Sequence, residues 1–116
     1  MNGQFSNLDE FWPFYLSQHL HPNNRRLHFI GTNLALLLLV LAASTRSWPF
    51  AVAALVVGYG CAWVGHFFFE KNKPATFTYP WLSFRGDIRM LALSWTNQLD
   101  AEILLRMKDI RRYARG

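Results

Sequence analysis

The chain has 116 residues, of which 52% are apolar, 16% aromatic and 16% charged, and its net charge is +5. A charged fraction well below the roughly 25% of soluble domains favours a membrane protein, and the length sets a single-domain prior. The basic surplus is not a nucleic-acid footprint: eleven of the twelve Lys/Arg residues lie outside a central apolar hairpin, only Arg46 falling in its turn. Cys61 is the only cysteine, so an intrachain disulfide is excluded.

From the N-terminus, residues 7–20 read as a short interfacial helix. Asn7 followed by Glu10 resembles a capping box, and Phe11, Trp12, Phe14, Tyr15 and Leu16 give a membrane-seeking body. His21-Pro22-Asn23-Asn24 reads as a turn. Two uncharged runs follow, Leu27–Thr45 and Ser47–Phe69, separated by Arg46. Each suits a helix that crosses the hydrocarbon core, which takes about 20 apolar residues. The expected spans are 25–43 and 49–71, with Pro49 a good first helical residue.

Residues 71–80 carry two prolines and read as loop. Residues 83–97 hold an apolar run too short to cross, so a second interfacial helix is expected there, with Asp87 an ion-pair partner for Arg85 or Arg89. Leu99, Ile103, Met107 and Ile110 recur at helical spacing, giving a third interfacial helix over 99–115. The fold class is therefore an all-α integral membrane protein: a two-span hairpin with N-terminal, post-hairpin and C-terminal amphipathic helices at the interface. The positive-inside rule puts both termini in the cytoplasm.

In an antiparallel hairpin turning near residue 47, residues whose numbers sum to about 94 share a depth. His28 and His66 meet that condition. Gly31 and Ala35 on the first span, and Gly58, Ala62 and Gly65 on the second, allow close helix approach. The same alignment sets Gly31 beside Ala62 and Trp63 and turns both imidazoles inward. Ionisable groups on the inner face of a span are functional by default.

His66 and Glu70 are four apart and share a helical face. Two His and one carboxylate with open positions suit non-haem Fe(II). His19 and His21 precede the first span, and His19, His28, His66 and Glu70 could surround one point at the cytoplasmic surface. Against this stands the plain reading of each histidine as a hydrogen-bonded interfacial side chain, the better one for His19 and His21 taken singly. Asn23 and Asn24 turn the chain or orient an imidazole. Arg25 and Arg26 are positive-inside residues with carboxylate binding as a further role. Phe67, Phe68 and Phe69 read as a lipid-facing run.

The stretch from Tyr15 to Thr32, with His19, Asn24, Arg25, His28 and Gly31, resembles the opening motif of a membrane family. So does Gly65-His66-Phe-Phe-Phe-Glu70-Lys-Asn-Lys-Pro74-Ala75. That family includes the fungal 2-hydroxy fatty acid dioxygenase of phytosphingosine breakdown, and the likeness runs from Tyr15 to about Met90, through Tyr79-Pro80 and Gly86-Asp87. It implies an Fe(II)-dependent dioxygenase without an organic cofactor that shortens a 2-hydroxy fatty acid by one carbon with O₂. Residue by residue, His19, His28 and His66 fall on the family's histidines and Glu70 on its acidic position, while His21 lies between motif positions. Arg25, Arg26 and Asn24 are then the expected substrate contacts. The chain is shorter than the fungal enzyme and shows one hairpin, and a homodimer could supply further helices. Two other classes stay open: a non-catalytic membrane adaptor or lipid-binding protein, and a b-type haem protein with His28 and His66 as axial ligands.

Overall fold

The computed structural model describes residues 5–114. It is helical, with no strand among the described residues: α1 (Leu8–Ser17), α2 (Pro22–Thr45), α3 (Trp48–Val64) continued by a π-helical turn (Gly65–Glu70), a 3₁₀ turn (Ala75–Phe77), α4 (Pro80–Trp95), α5 (Leu99–Leu105) and α6 (Met107–Ala114). These elements form two compact units, one holding the chain up to Leu20 and from Lys73 onward, the other His21–Asn72.

The His21–Asn72 unit is the hairpin. Its two helices are long and apolar enough to cross a membrane, Pro22–Thr45 and Trp48–Glu70. The first begins three residues earlier than expected because the predicted turn is a helix start. Pro22 occupies the first turn, where a missing N–H costs nothing, and the His21 side chain caps it by accepting the Asn23 N–H. Arg46, in left-handed geometry, ends α2.

Close approach of the two helices follows from the small residues. A Cβ on Gly31 would stand 2.6 Å from Cys61 Cβ, and one on Gly58 would stand 3.4 Å from Ala35 Cβ. Gly31 therefore packs on Cys61, one residue before the expected Ala62. Gly31 and His28 are three residues apart on α2, and the residues they meet, Cys61 and His66, are five apart on the facing segment, which passes into the π turn at Gly65.

The other unit corrects the reading of its helices. Phe11, Trp12, Tyr15 and Leu16 are almost wholly buried, together with Met90, Leu99, Ile103 and Ile110. The aromatic body of α1 is thus the core of a packed helical unit, not a surface open to lipid. The periodic Leu99, Ile103 and Ile110 face that same core. Their segment is two helices, broken at Arg106. Asn7 caps α1 by accepting the Glu10 N–H at 2.9 Å, while Glu10 reaches back to Ser6 N, so the capping box is displaced by one residue.

Candidate functional site

His28 and His66 meet. Their Nε2 atoms are 3.3 Å apart, with the rings perpendicular at 88°. Both side chains are buried. His28 sits two turns into α2, on the face that carries Gly31. His66 is the second residue of the π turn, an irregularity frequently found at functional sites.

The chain beyond His66 fixes that imidazole. Lys71 takes a left-handed conformation, with φ at 61°, which is uncommon outside glycine. The reversal aims Asn72 back at the turn it has just left: Asn72 N–H donates to the His66 carbonyl at 2.9 Å, and Asn72 Oδ1 accepts from His66 Nδ1 at 2.7 Å. An amide oxygen can only accept, so Nδ1 carries the proton. Neutral His66 then presents a lone pair at Nε2, towards His28. Holding the second ring nitrogen of a histidine is how proteins orient a metal ligand. Asn72 was not singled out in the sequence. A polar residue six positions after a buried histidine, just past a helix end, was the available signal.

Glu70 serves another set of donors. Its Oε1 accepts the His21 N–H at 2.9 Å and the Asn24 Nδ2–H at 3.0 Å. Asn24 is fully buried and leans on Gly65, where a Cβ would come 3.0 Å from Asn24 Cγ and into contact with Oδ1. Asn24, expected at the substrate, is thus part of a clamp between the first turn of α2 and the π turn. Arg25 is half-buried beside it, while Arg26 is exposed and donates to Asn23 Oδ1 at 2.9 Å. His21 is the α2 cap and lies 5.4 Å from the Phe69 ring.

His19 belongs to the other unit and is 1% exposed. It follows the end of α1, where its Nδ1 donates to the Tyr15 carbonyl at 2.7 Å and its ring stacks on Tyr15 at 4.1 Å. As in His66, Nδ1 is the nitrogen that carries the proton in this bond. The Tyr15 hydroxyl donates to Asp87 Oδ1, whereas Arg89 pairs with Asp9 at 3.3 Å. Burial pushes the Asp87 carboxyl up to about 7, the Tyr15 hydrogen bond working in the opposite direction. The Tyr15 phenol lies well above its ordinary value, chiefly through burial and secondly through the Asp87 charge.

Three histidines are therefore buried among the described residues, His19 in one unit and His28 and His66 in the other, and imidazoles are common ligands of first-row metals. Over residues 5–99 the sequence matches the family described as 2-hydroxy-palmitic acid dioxygenase Mpo1-like. The chain belongs to this family. None of the curated proteins and none of the solved structures matches it. The Mpo1-like family name points to a 2-hydroxy fatty acid, hence to a lipid substrate, and a dioxygenase of this kind calls for a metal.

Proposed function

We propose that this chain is an integral membrane, Fe(II)-dependent dioxygenase that shortens 2-hydroxy fatty acids by one carbon. The observation that carries the reading is the meeting of His28 and His66 through Nε2 at 3.3 Å, with the His66 lone pair set by Asn72. Two imidazole nitrogens this close, both buried, would suit a shared first-row metal. His19, whose Nδ1 is bonded to the Tyr15 carbonyl, is the third imidazole in this reading, by its place in the family motif.

Iron(II), when bound, supplies the site where O₂ is activated. The protein's own residues do the rest. Asn72 and the Tyr15 carbonyl hold two imidazoles in one tautomer. Glu70, which accepts from the His21 N–H and the Asn24 amide, braces the start of α2 against the π turn. Arg25 and Arg26, at the start of α2, are the cations that would pair with the substrate carboxylate in this reading. One O₂ balances the reaction: the 2-hydroxy acid yields the acid one carbon shorter, CO₂ and water.

A bilayer explains the surfaces. Of the most apolar stretches of the two hairpin helices only 11% and 17% is buried, whereas a soluble core helix would be mostly covered. Phe67, Phe68 and Phe69 are exposed and face lipid in this reading. On α4, Trp81, Phe84, Ile88 and Trp95 are exposed on one face, with Arg85 over the Trp81 ring at 5.9 Å. An aromatic face edged by arginine suits the headgroup region. The acyl chain would lie along the hairpin, with both termini and the site on the cytoplasmic side.

The test is metal analysis of detergent-purified protein after anaerobic Fe(II) reconstitution, followed by incubation with 2-hydroxypalmitic acid and O₂. Bound iron and the acid one carbon shorter are expected, with both lost in His66→Ala. Protein that takes up no iron overturns the proposal.

A further inference from the structure

The meeting of His28 and His66 is bounded on both sides by close contacts of the same two helical segments, all within the His21–Asn72 unit. Towards the hairpin turn, a Cβ on Gly31 would stand 2.6 Å from Cys61 Cβ. Towards the open end, a Cβ on Gly65 would stand 3.2 Å from Asn24 Cα and 3.0 Å from its Cγ. This second contact is also tied by hydrogen bonds. Glu70 Oε1 accepts from Asn24 Nδ2–H at 3.0 Å and from the His21 N–H at 2.9 Å. Asn24 is fully buried, and an amide that donates to a carboxylate there makes a strong, charge-assisted bond.

The register gives that bond its significance. Asn24 precedes His28 by four residues on α2, and Glu70 follows His66 by four on the facing segment. Side chains at this spacing share a helical face. Asn24–Glu70 and His28–His66 are therefore neighbouring rungs between the same two elements, one turn apart. Both members of the outer rung stand where helices end, Asn24 in the first turn of α2 and Glu70 at the last residue of the π turn, and helix ends fray. Opening the outer rung moves the first turn of α2 away from the π turn, and the 3.3 Å between the two Nε2 atoms changes with it. Asn72 governs how the His66 ring is turned; Asn24 and Glu70 act on a different coordinate, the distance between the two backbones.

We propose that Asn24 and Glu70 are positioning residues for the histidine pair: their hydrogen bond sets the gap between His28 Nε2 and His66 Nε2, and so the ligand geometry offered to the metal. This rests on the reading of His28 and His66 as ligands of one ion. Glu70 then acts through an acceptor oxygen held by Asn24 and the His21 N–H, without touching the metal itself. A functional constellation needs its groups held within about 0.5 Å of the working geometry. Partners outside the ligand set are worth about 10–100-fold in metal affinity.

Co(II) serves as the probe, because its absorption spectrum reports ligand geometry without turnover. Full-length wild type, Glu70→Ala, Glu70→Gln, Asn24→Ala, Gly65→Ala, His28→Ala and His66→Ala are titrated with Co(II) in detergent, folding being followed by circular dichroism. Expected in Glu70→Ala and Asn24→Ala are affinities about tenfold weaker with a shifted spectrum. Glu70→Gln keeps the acceptor oxygen and should stay near wild type. Gly65→Ala pries the same rung apart while leaving every hydrogen-bonding group in place, so it should shift the spectrum in the same way. That variant and Asn24→Ala decide the matter if Glu70→Ala does not fold. The double variant Asn24→Ala/Glu70→Ala should bind no worse than Glu70→Ala. Wild-type affinity and spectrum in the folded fractions of Glu70→Ala, Asn24→Ala and Gly65→Ala, with loss in His28→Ala and His66→Ala, overturn the positioning role alone. Equal loss in Glu70→Gln and Glu70→Ala, with wild-type binding in Asn24→Ala, makes Glu70 a ligand and overturns it as well. Wild-type protein that binds no Co(II), or wild-type binding in both histidine variants, removes the metal reading and this proposal with it.

Discussion

Glu70 accepts the backbone N–H of His21 at 2.9 Å, so the last residue of the π turn holds the residue that caps α2. The same oxygen takes the Asn24 amide. A carboxylate bonded in this way is a brace. Glu70→Ala leaves both donors without this acceptor, and hydrogen bonds to a charged group contribute about 1.5–3 kcal/mol. The expected outcome is a loss of stability of that order in denaturant unfolding. Glu70→Gln keeps an acceptor oxygen and should retain full iron stoichiometry. Folded Glu70→Gln without iron would instead make Glu70 a ligand.

Gly65 and Gly60 lie five residues apart on the same helical segment and predict opposite results. A Cβ at Gly65 meets Asn24 Oδ1, with Cγ at 3.0 Å and Cα at 3.2 Å, whereas one at Gly60 meets nothing within 4 Å. Gly65→Ala must push the first turn of α2 away, an overpacking cost of about 1–3 kcal/mol. Gly60→Ala should be neutral or gain up to about 1 kcal/mol from helix propensity. Melting temperatures of the two variants in one detergent give the comparison; equal shifts would contradict the close packing at Asn24.

How far the sequence reaches differs between the two units. In the hairpin, uncharged length gave the spans, and counting from the turn paired His28 with His66. It missed the π turn, because a change from i→i+4 to i→i+5 bonding leaves no mark in hydropathy. Beyond that turn, Lys71 in left-handed geometry brings Asn72 back to His66. In the other unit, periodicity located the helices but not what they face. An aromatic stripe such as Phe11, Trp12 and Tyr15 has one composition whether it enters lipid or a protein core, and only the partners Met90, Leu99, Ile103 and Ile110 decide. Asp87 was assigned to neighbouring arginines by proximity in sequence. Its bond to Tyr15 spans 72 positions, a distance no local pattern conveys.

Asn72 offers a direct check on the His66 tautomer. Asn72→Ala removes the acceptor at Nδ1 without touching either Nε2 atom. Metal affinity should fall about 10–100-fold, measured by competition with a chelator, while Asn72→Asp, which also accepts, should bind at least as tightly as wild type. An unchanged affinity in Asn72→Ala would mean that packing alone orients the ring.

Asp87 gives the protein a pH dependence of definite sign. Its carboxyl is raised from 3.8 to about 7 in the folded protein, burial outweighing the Tyr15 hydrogen bond. Between those values the folded state binds more protons at this residue than the unfolded chain does. Stability from this group is therefore complete below about pH 4, declines as pH rises towards 7, and is flat above it. Asp87→Asn cannot titrate and removes that slope while keeping an acceptor for the Tyr15 hydroxyl. Unfolding free energies of wild type and Asp87→Asn, measured from pH 4 to pH 8, should converge at the acid end and separate in favour of Asp87→Asn above pH 7. A difference independent of pH would mean that the Asp87 carboxyl titrates alike in the folded and the unfolded chain.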